Sequence, residues 1–224
     1  MRPSVKEDTT ITVAVEIVDV SKKYGHIFAI KPFSIKLDEG ETVAVLGPNG
    51  AGKSTLMKIL ATHVLPSSGI VKIYGRNVFK DGENARKRIG FVTHESFLYD
   101  ELSVEENLQF YRKFFSVDQE DIREIIEFLN LKSWRKVPAK QLSYGLRKRA
   151  DIARALIHDP DLILLDELFA GLDEETRNFL VDYFQTLQGK TLLVSSHSVQ
   201  WAKQLCNRSL FLDKGNLVKD TFSG

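Results

Sequence analysis

Residues Gly47-Pro48-Asn49-Gly50-Ala51-Gly52-Lys53-Ser54-Thr55 fit the pattern GxxxxGK(S/T), and they leave few folds open to the chain. An apolar run, Thr42-Val43-Ala44-Val45-Leu46, precedes them, and a helical pattern, Leu56, Ile59, Leu60, His63, follows. Strand, glycine loop and helix in that order make a phosphate cradle. The glycines let backbone N–H groups turn inward, and the helix N-terminus adds partial positive charge. Lys53 then reaches the β- and γ-phosphates, and Ser54 is placed to ligate Mg²⁺. The plainer alternative is a glycine-rich strand-to-helix turn. With glycine at about 7% usage, a chance match in a chain this size is on the order of 1%, and the flanking pattern lowers it. The loop implies a nucleoside triphosphate site.

Leu162-Ile163-Leu164-Leu165-Asp166-Glu167 reads as an apolar strand delivering two carboxylates at its C-terminal end, where open α/β sheets bind ligands. Asp166 suits Mg²⁺, directly or through water. Glu167, on the opposite side of the strand end, suits polarising a water for attack on a γ-phosphate. Two acids after a strand also fit a solvated turn; beside a phosphate loop they read as the second half of one site.

Residues 11–20 alternate as a half-buried strand, and Phe33-Ser34-Ile35-Lys36-Leu37 forms a second. The turn residues Lys22-Lys23-Tyr24-Gly25-His26 lie between them, and antiparallel pairing is expected. Residues 69–74 and 89–92 are further strands. From Ser103 to about Leu142 the character is helical. Ser103 and Glu106 form a capping box. Leu108, Tyr111 and Phe115 then make one stripe, expected to face the core, and Ile122, Ile125, Ile126 and Leu129 another. Helices are expected over residues 145–157, 176–187 and 199–205, strands over 162–165 and 191–194, and a closing hairpin around Lys214-Gly215. Four-residue apolar runs between helices are strands covered on both faces. The expected fold is α/β: a phosphate-loop NTPase core with a mainly parallel sheet, an antiparallel β subdomain and a helical insertion over about residues 95–145. Residues 1–10 read as a loose polar tail.

Hydrophobic content of 43% and charged content of 27% are ordinary for a globular domain, and 224 residues suit one domain with an insertion. A net charge of +1 makes no electrostatic case for nucleic acid, which is not expected as a partner. The single cysteine, Cys206, rules out an intramolecular disulfide, favours a reducing compartment and reads as a small buried hydrophobe. No apolar run approaches the ~18 residues that span a bilayer, and the first ten residues lack a secretory apolar stretch. Any link to a membrane is expected to run through a partner.

Three further fragments fall in order: Leu142-Ser143-Tyr144-Gly145-Leu146, opening a helix that runs into Ala153-Arg154-Ala155-Leu156; Ala170-Gly171-Leu172-Asp173; and His197, after a strand. With these the chain resembles the ATP-binding-cassette (ABC) family over about residues 11–220. The resemblance implies an ATPase in which two such domains sandwich two ATP molecules head to tail, with Mg²⁺. It implies that Tyr24 stacks on the adenine and that residues 47–55, Gly47, Pro48, Asn49, Gly50, Ala51, Gly52, Lys53, Ser54 and Thr55, hold the phosphates. Ser143 and Gly145 would cap the γ-phosphate of the ATP held by the opposite subunit, from a helix N-terminus that suits an anion. Ser143 also fits a plain N-cap, and both roles can coexist. Asp173 would lie at the dimer seam and His197 at the γ-phosphate. Glu167, Lys53 and His197 would form the catalytic group, and Ser54 and Asp166 the metal-binding pair.

The chain departs from the family's pattern at several positions. Tyr144 stands where glycine is usual and Leu146 where glutamine is usual, while Ser143 and Gly145 are kept, so a working site with altered contacts nearby is expected. Leu168 replaces the proline usual after the catalytic acid. His94 stands where the family carries glutamine between core and helical insertion. Mg²⁺ prefers oxygen, which places His94 in the coupling region rather than the metal shell. One cassette with no fused membrane segment suggests a separate subunit, docked on a membrane permease at the cytoplasmic face. A second cassette, the same chain or another, would pair with it when ATP binds. His94, the Phe110-Tyr111 pair and the segments around them are similar to the haem-exporter ATPases of cytochrome c maturation. The rival reading is a soluble cassette ATPase that remodels a cytosolic assembly. Exposed apolar residues over 94–102 would favour the transporter, and a filled polar surface the remodeller.

Overall fold

Two sets of strands stand out in this chain, long ones that alternate in burial and short apolar ones buried almost throughout. The computed structural model describes residues 12–115 and 118–222, so the expected tail at residues 1–10 lies outside the described residues. β1 (Val13–Tyr24) and β2 (Ile27–Asp38) pair antiparallel. β3 (Thr42–Leu46) runs through the glycine loop into α1 (Lys53–Leu60). β4 (Ser68–Ile73) and β5 (Arg76–Asn77) complete a four-stranded sheet in the order β2-β1-β4-β5. After α2 (Gly82–Arg86) comes β6 (Ile89–Val92), and then the helices α3 (Val104–Phe115), α4 (Gln119–Phe128) and α5 (Tyr144–Leu156). β7 (Leu162–Asp166), α6 (Glu174–Thr186), β8 (Thr191–Ser196), α7 (Val199–Leu205), β9 (Arg208–Asp213) and β10 (Asn216–Phe222) close the chain. The second sheet runs β10-β9-β3-β8-β7-β6, parallel except for the β9–β10 hairpin.

The short runs are apolar at every position because both faces of this second sheet are covered. Val43, Val45, Leu162 and Leu164 face one way and Ala44, Leu46, Ile163 and Leu165 the other, each 2% exposed or less. The first set packs on α1, through Leu56, Met57, Ile59 and Leu60, and on Val15, Ile17, Val71 and Ile73 of the antiparallel sheet. The second packs on α3, α4, α5, α6 and α7, through Leu108, Ile126, Ile152, Leu180 and Ala202.

The expected α/β architecture is present, with three local corrections. β1 and β2 extend through Tyr24 and back to Ile27, because register shifts between Ile17 and Val20 and between Val20 and Lys22 break the alternation that marks a strand. α1 stops at Leu60, and His63 lies beyond it, edge-on to Phe91 and Phe97. Of the stripe expected to face the core, only Leu108 is buried; Tyr111 and Phe115 line a groove. The Ser103–Glu106 capping box is formed, with Glu106 N–H donating to Ser103 Oγ at 3.2 Å and Ser103 N–H to Glu106 Oε2 at 2.8 Å. Such a cap stabilises a helix by about 1 kcal/mol.

Candidate nucleotide-binding site

In the order β3-β8-β7, three neighbouring strands deliver residues to the same sheet edge. β3 leads to the glycine loop, β7 to the acid pair and β8 to His197. Two loop positions must be glycine. A Cβ on Gly47 (φ +149°) would meet the Leu212 carbonyl oxygen at 2.2 Å, and one on Gly52 (φ +108°) the Ala29 carbonyl oxygen at 2.4 Å. Strands β9 and β2 therefore wall the loop in, and only bare backbone fits.

Lys53 is nearly fully buried, and its Nζ donates to the carbonyls of Gly47 at 2.9 Å and Pro48 at 3.2 Å. The same Nζ lies 3.3 Å from Glu167 Oε1, while Glu167 Oε2 lies 3.0 Å from His197 Nδ1. Glu167 has φ +51°, a left-handed conformation that costs a non-glycine residue about 1–3 kcal/mol and is typical of functional positions. It turns the carboxylate off the strand axis and over the loop. Its N–H donates to Ser195 twice, to the Oγ at 3.0 Å and to the backbone carbonyl at 3.2 Å.

Asp166 is fully buried. Its Oδ1 accepts from Ser54 Oγ at 3.1 Å and from Ser195 Oγ at 2.5 Å, and its Oδ2 has no hydrogen-bond partner among the described residues. A buried, unpartnered carboxylate oxygen beside a loop serine is the donor set that Mg²⁺ takes when substrate phosphates supply the remaining oxygens. The residues present fit the ion. Ser195 went unnoticed in the sequence. Its role depends on β7–β8 register, which sets it opposite Asp166.

Tyr24, Ile27, Phe28, Asn49, Ser54, Thr55, Glu167, Ala170 and His197 are among the residues around a cleft of about 670 Å³. Tyr24 is half exposed at its mouth, with the Lys22 ammonium 5.0 Å from its ring centroid. Ile27 and Phe28 extend that apolar platform, and the sequence reading missed them because it placed the strand start at Phe33. Ser143, Gly145, Asp173 and His94 do not line this cleft. Ser143 caps α5, its Oγ accepting from Leu146 N–H at 3.3 Å. Asp173 caps α6, accepting from Thr176 N–H at 2.7 Å and Thr176 Oγ1 at 3.1 Å. These two bonds, the backbone one first, hold its carboxyl below the ordinary aspartate range. Gly145 packs between the two caps, because a Cβ there would sit 2.9 Å from Thr176 Oγ1.

His94 is exposed, on the segment that leaves β6. Lys148 of α5 donates to the carbonyls of Thr93 at 2.8 Å and His94 at 3.2 Å, and Asp151 Oδ1 accepts from Phe97 N–H at 3.1 Å. Past this segment Tyr99, Phe110, Tyr111, Phe114 and Phe115 face Glu83, Arg86 and Lys87 across a groove of about 520 Å³. Tyr99 and Phe114 are 50% and 63% exposed.

The model of the ABC transporter family matches residues 30–170. The chain belongs to that family. It is 32% identical over 216 residues to the Nod factor export ATP-binding protein I of Cupriavidus metallidurans, covering 94% of this chain and 71% of that one. It is 34% identical over 212 residues to the protein of the same name from Sinorhizobium fredii, covering 92% of this chain and 62% of that one. A dimeric ATP-binding cassette solved in a post-hydrolysis state with ADP and Pi superposes with a TM-score of 0.86 at 27% identity, covering 94% of this chain and 99% of that one. The chain is thus the ATP-hydrolysing, nucleotide-binding subunit of an ABC transporter. Among the described residues no helix is long and apolar enough to cross a membrane.

Proposed function

We propose that this ABC ATPase drives efflux through a separate membrane permease, and that Glu167 is the base that activates the attacking water. The observation that carries the catalytic part is the Lys53–Glu167–His197 cluster at the mouth of the glycine loop. Lys53 neutralises the β- and γ-phosphates, Glu167 accepts the proton of the attacking water, and His197 holds the carboxylate's other oxygen while facing the γ-phosphate. Ser54 and Asp166 hold Mg²⁺, which shields phosphate charge when bound. Tyr24 stacks on adenine, with Ile27 and Phe28 beside it.

Ser143, Gly145 and Asp173, standing outside the cleft at two helix N-termini, act on the ATP of a second cassette and at the seam between the two. The solved dimeric relative supports this arrangement. The aromatic groove takes a helix of the permease, and His94 lies in the coupling segment that leads from β6 toward Tyr99 of that groove. Its exposed rings favour a docked permease over the cytosolic remodelling role. Docking of that kind would hold the ATPase at the cytoplasmic face of the membrane.

The curated relatives are named for Nod factor export, which supports efflux as the direction. The relatives found are Nod factor exporters and lend the haem-exporter likeness no support, so haem as cargo rests on His94 and the Phe110-Tyr111 pair alone and is tested directly. Glu167→Gln protein is purified with ATP from detergent-solubilised host membranes, followed by mass spectrometry and a haem absorbance scan. A multispanning membrane protein in the eluate is the expected result, and co-eluting haem would support that cargo. Soluble partners alone, from intact membranes, would overturn the transporter reading.

A further inference from the structure

Tyr144 stands between the two residues assigned to the opposite subunit's ATP, at a position where the family's pattern has no side chain. Its Oη donates to the Ala170 carbonyl oxygen at 3.2 Å, 26 residues away in the chain. Its ring stands over Gly171, with Cε1 3.5 Å from where a Cβ on that glycine would lie. The Lys148 ammonium lies 5.6 Å from the ring centroid, within cation–π range. Residues 170–173 are the stretch between the cleft wall at Ala170 and the α6 cap at Asp173. Their far end is already held against α5, where Gly145 packs on Thr176 and Thr176 bonds Asp173. Leu172 is buried in the core and its carbonyl accepts from Arg177 Nη2, while Ala170 N–H donates to the Glu167 carbonyl. Tyr144 adds the attachment to α5 at the near end, beside Gly171, which is exposed and at φ +73°.

We infer that Tyr144 is a positioning residue, an intramolecular strut that fixes the seam segment 170–173 to the N-terminus of α5 in its own subunit. Both elements that meet the partner cassette then arrive as one rigid unit, and the ordering cost of that segment is met before the dimer forms. The inference rests on the assignment of Ser143, Gly145 and Asp173 to the dimer face.

The test compares Tyr144→Ala, Tyr144→Phe and Ser143→Ala, each placed in the Glu167→Gln background for binding and in the parent chain for turnover. Four quantities are read: ATP affinity of the monomer, the ATP-dependent dimer constant by sedimentation, kcat against KM, and hydrogen exchange of the 171–172 amides. Tyr144→Ala is expected to weaken the dimer roughly three- to tenfold, the range one neutral hydrogen bond with its ring contact supports. It is also expected to lower kcat similarly, quicken exchange at 171–172 and leave monomer affinity unchanged. Tyr144→Phe keeps the ring on Gly171 and should fall between Ala and the parent. Unchanged exchange and dimer constant in Tyr144→Ala would overturn the strut. So would a general loss of stability with monomer affinity falling in step, which marks a merely structural side chain. If Ser143→Ala leaves dimerisation untouched, the dimer-face assignment fails, and exchange at 171–172 alone decides the strut.

Discussion

The Lys53 ammonium and the Glu167 carboxylate are ion-paired across the mouth of the glycine loop, Nζ 3.3 Å from Oε1. A triphosphate entering the loop competes with Glu167 for this ammonium. In the proposed mechanism the phosphates take Lys53, and Glu167 keeps His197 as its partner and turns a lone pair toward water. The same proposal ties activation of the base to occupancy of the site.

Removing the cation should be felt in binding. Lys53→Ala is expected to raise the dissociation constant for ATP roughly 10–100-fold, the worth of a charge-assisted hydrogen bond. A fluorescent-nucleotide titration measures it, and unchanged affinity would contradict the phosphate contact.

The metal assignment separates from nucleotide binding. Asp166→Asn keeps the shape and the Ser54 contact but removes the charge beside Oδ2, which has no partner among the described residues. The Mg²⁺ concentration for half-maximal turnover should rise roughly 10–100-fold, as for other residues that tune a metal site. ATP binding in EDTA should be unchanged; an unaltered Mg²⁺ titration would remove Asp166 from the role.

Gly145→Ala drives a methyl toward Thr176 Oγ1, 2.9 Å away, and pushes Thr176 off Asp173. Urea unfolding should show a loss of about 1–2 kcal/mol, as for overpacking combined with a weakened cap. The Asp173 carboxyl sits below its ordinary range through its bonds to Thr176, so its contribution is present above the unfolded value and lost as pH falls through the lower folded one. The acid limb of stability should therefore be shallower in Gly145→Ala. An identical midpoint and limb would show that the cap tolerates the methyl.

Burial pushes the Cys206 thiol up to about 12. At pH 8.5 iodoacetamide should alkylate it at least ~10²-fold more slowly in the folded protein than in urea, because the thiolate is the nucleophile. Since the folded value is raised, the protonated thiol's contribution to stability is lost as pH climbs from 9 toward 12. Equal alkylation rates in both states would contradict its burial.

The glycine loop and acid pair were legible because their chemistry depends on contiguous residues, and the β7 and β8 strands because apolar runs of that length between helices have few other fates. Contacts between distant segments were not. Ser195 meets Asp166 through strand register, and Lys148 meets Thr93 and His94 because β6 and α5 are packed together. The true start of β2 at Ile27 was hidden by register shifts in its partner strand. Helical periodicity put Leu108, Tyr111 and Phe115 on one side of α3, but periodicity names a side and not what covers it. Core covers the first, and a groove opens beside the other two.

The most direct measurement is turnover and ATP affinity of Glu167→Gln in one preparation. Glutamine keeps the shape and can still face His197, but it cannot take a proton from water. The expected result is hydrolysis slowed roughly 10²–10⁴-fold, the usual worth of a general base, with ATP bound at least as tightly as by the parent. Undiminished hydrolysis would show that another group activates the water, and the central assignment would fall.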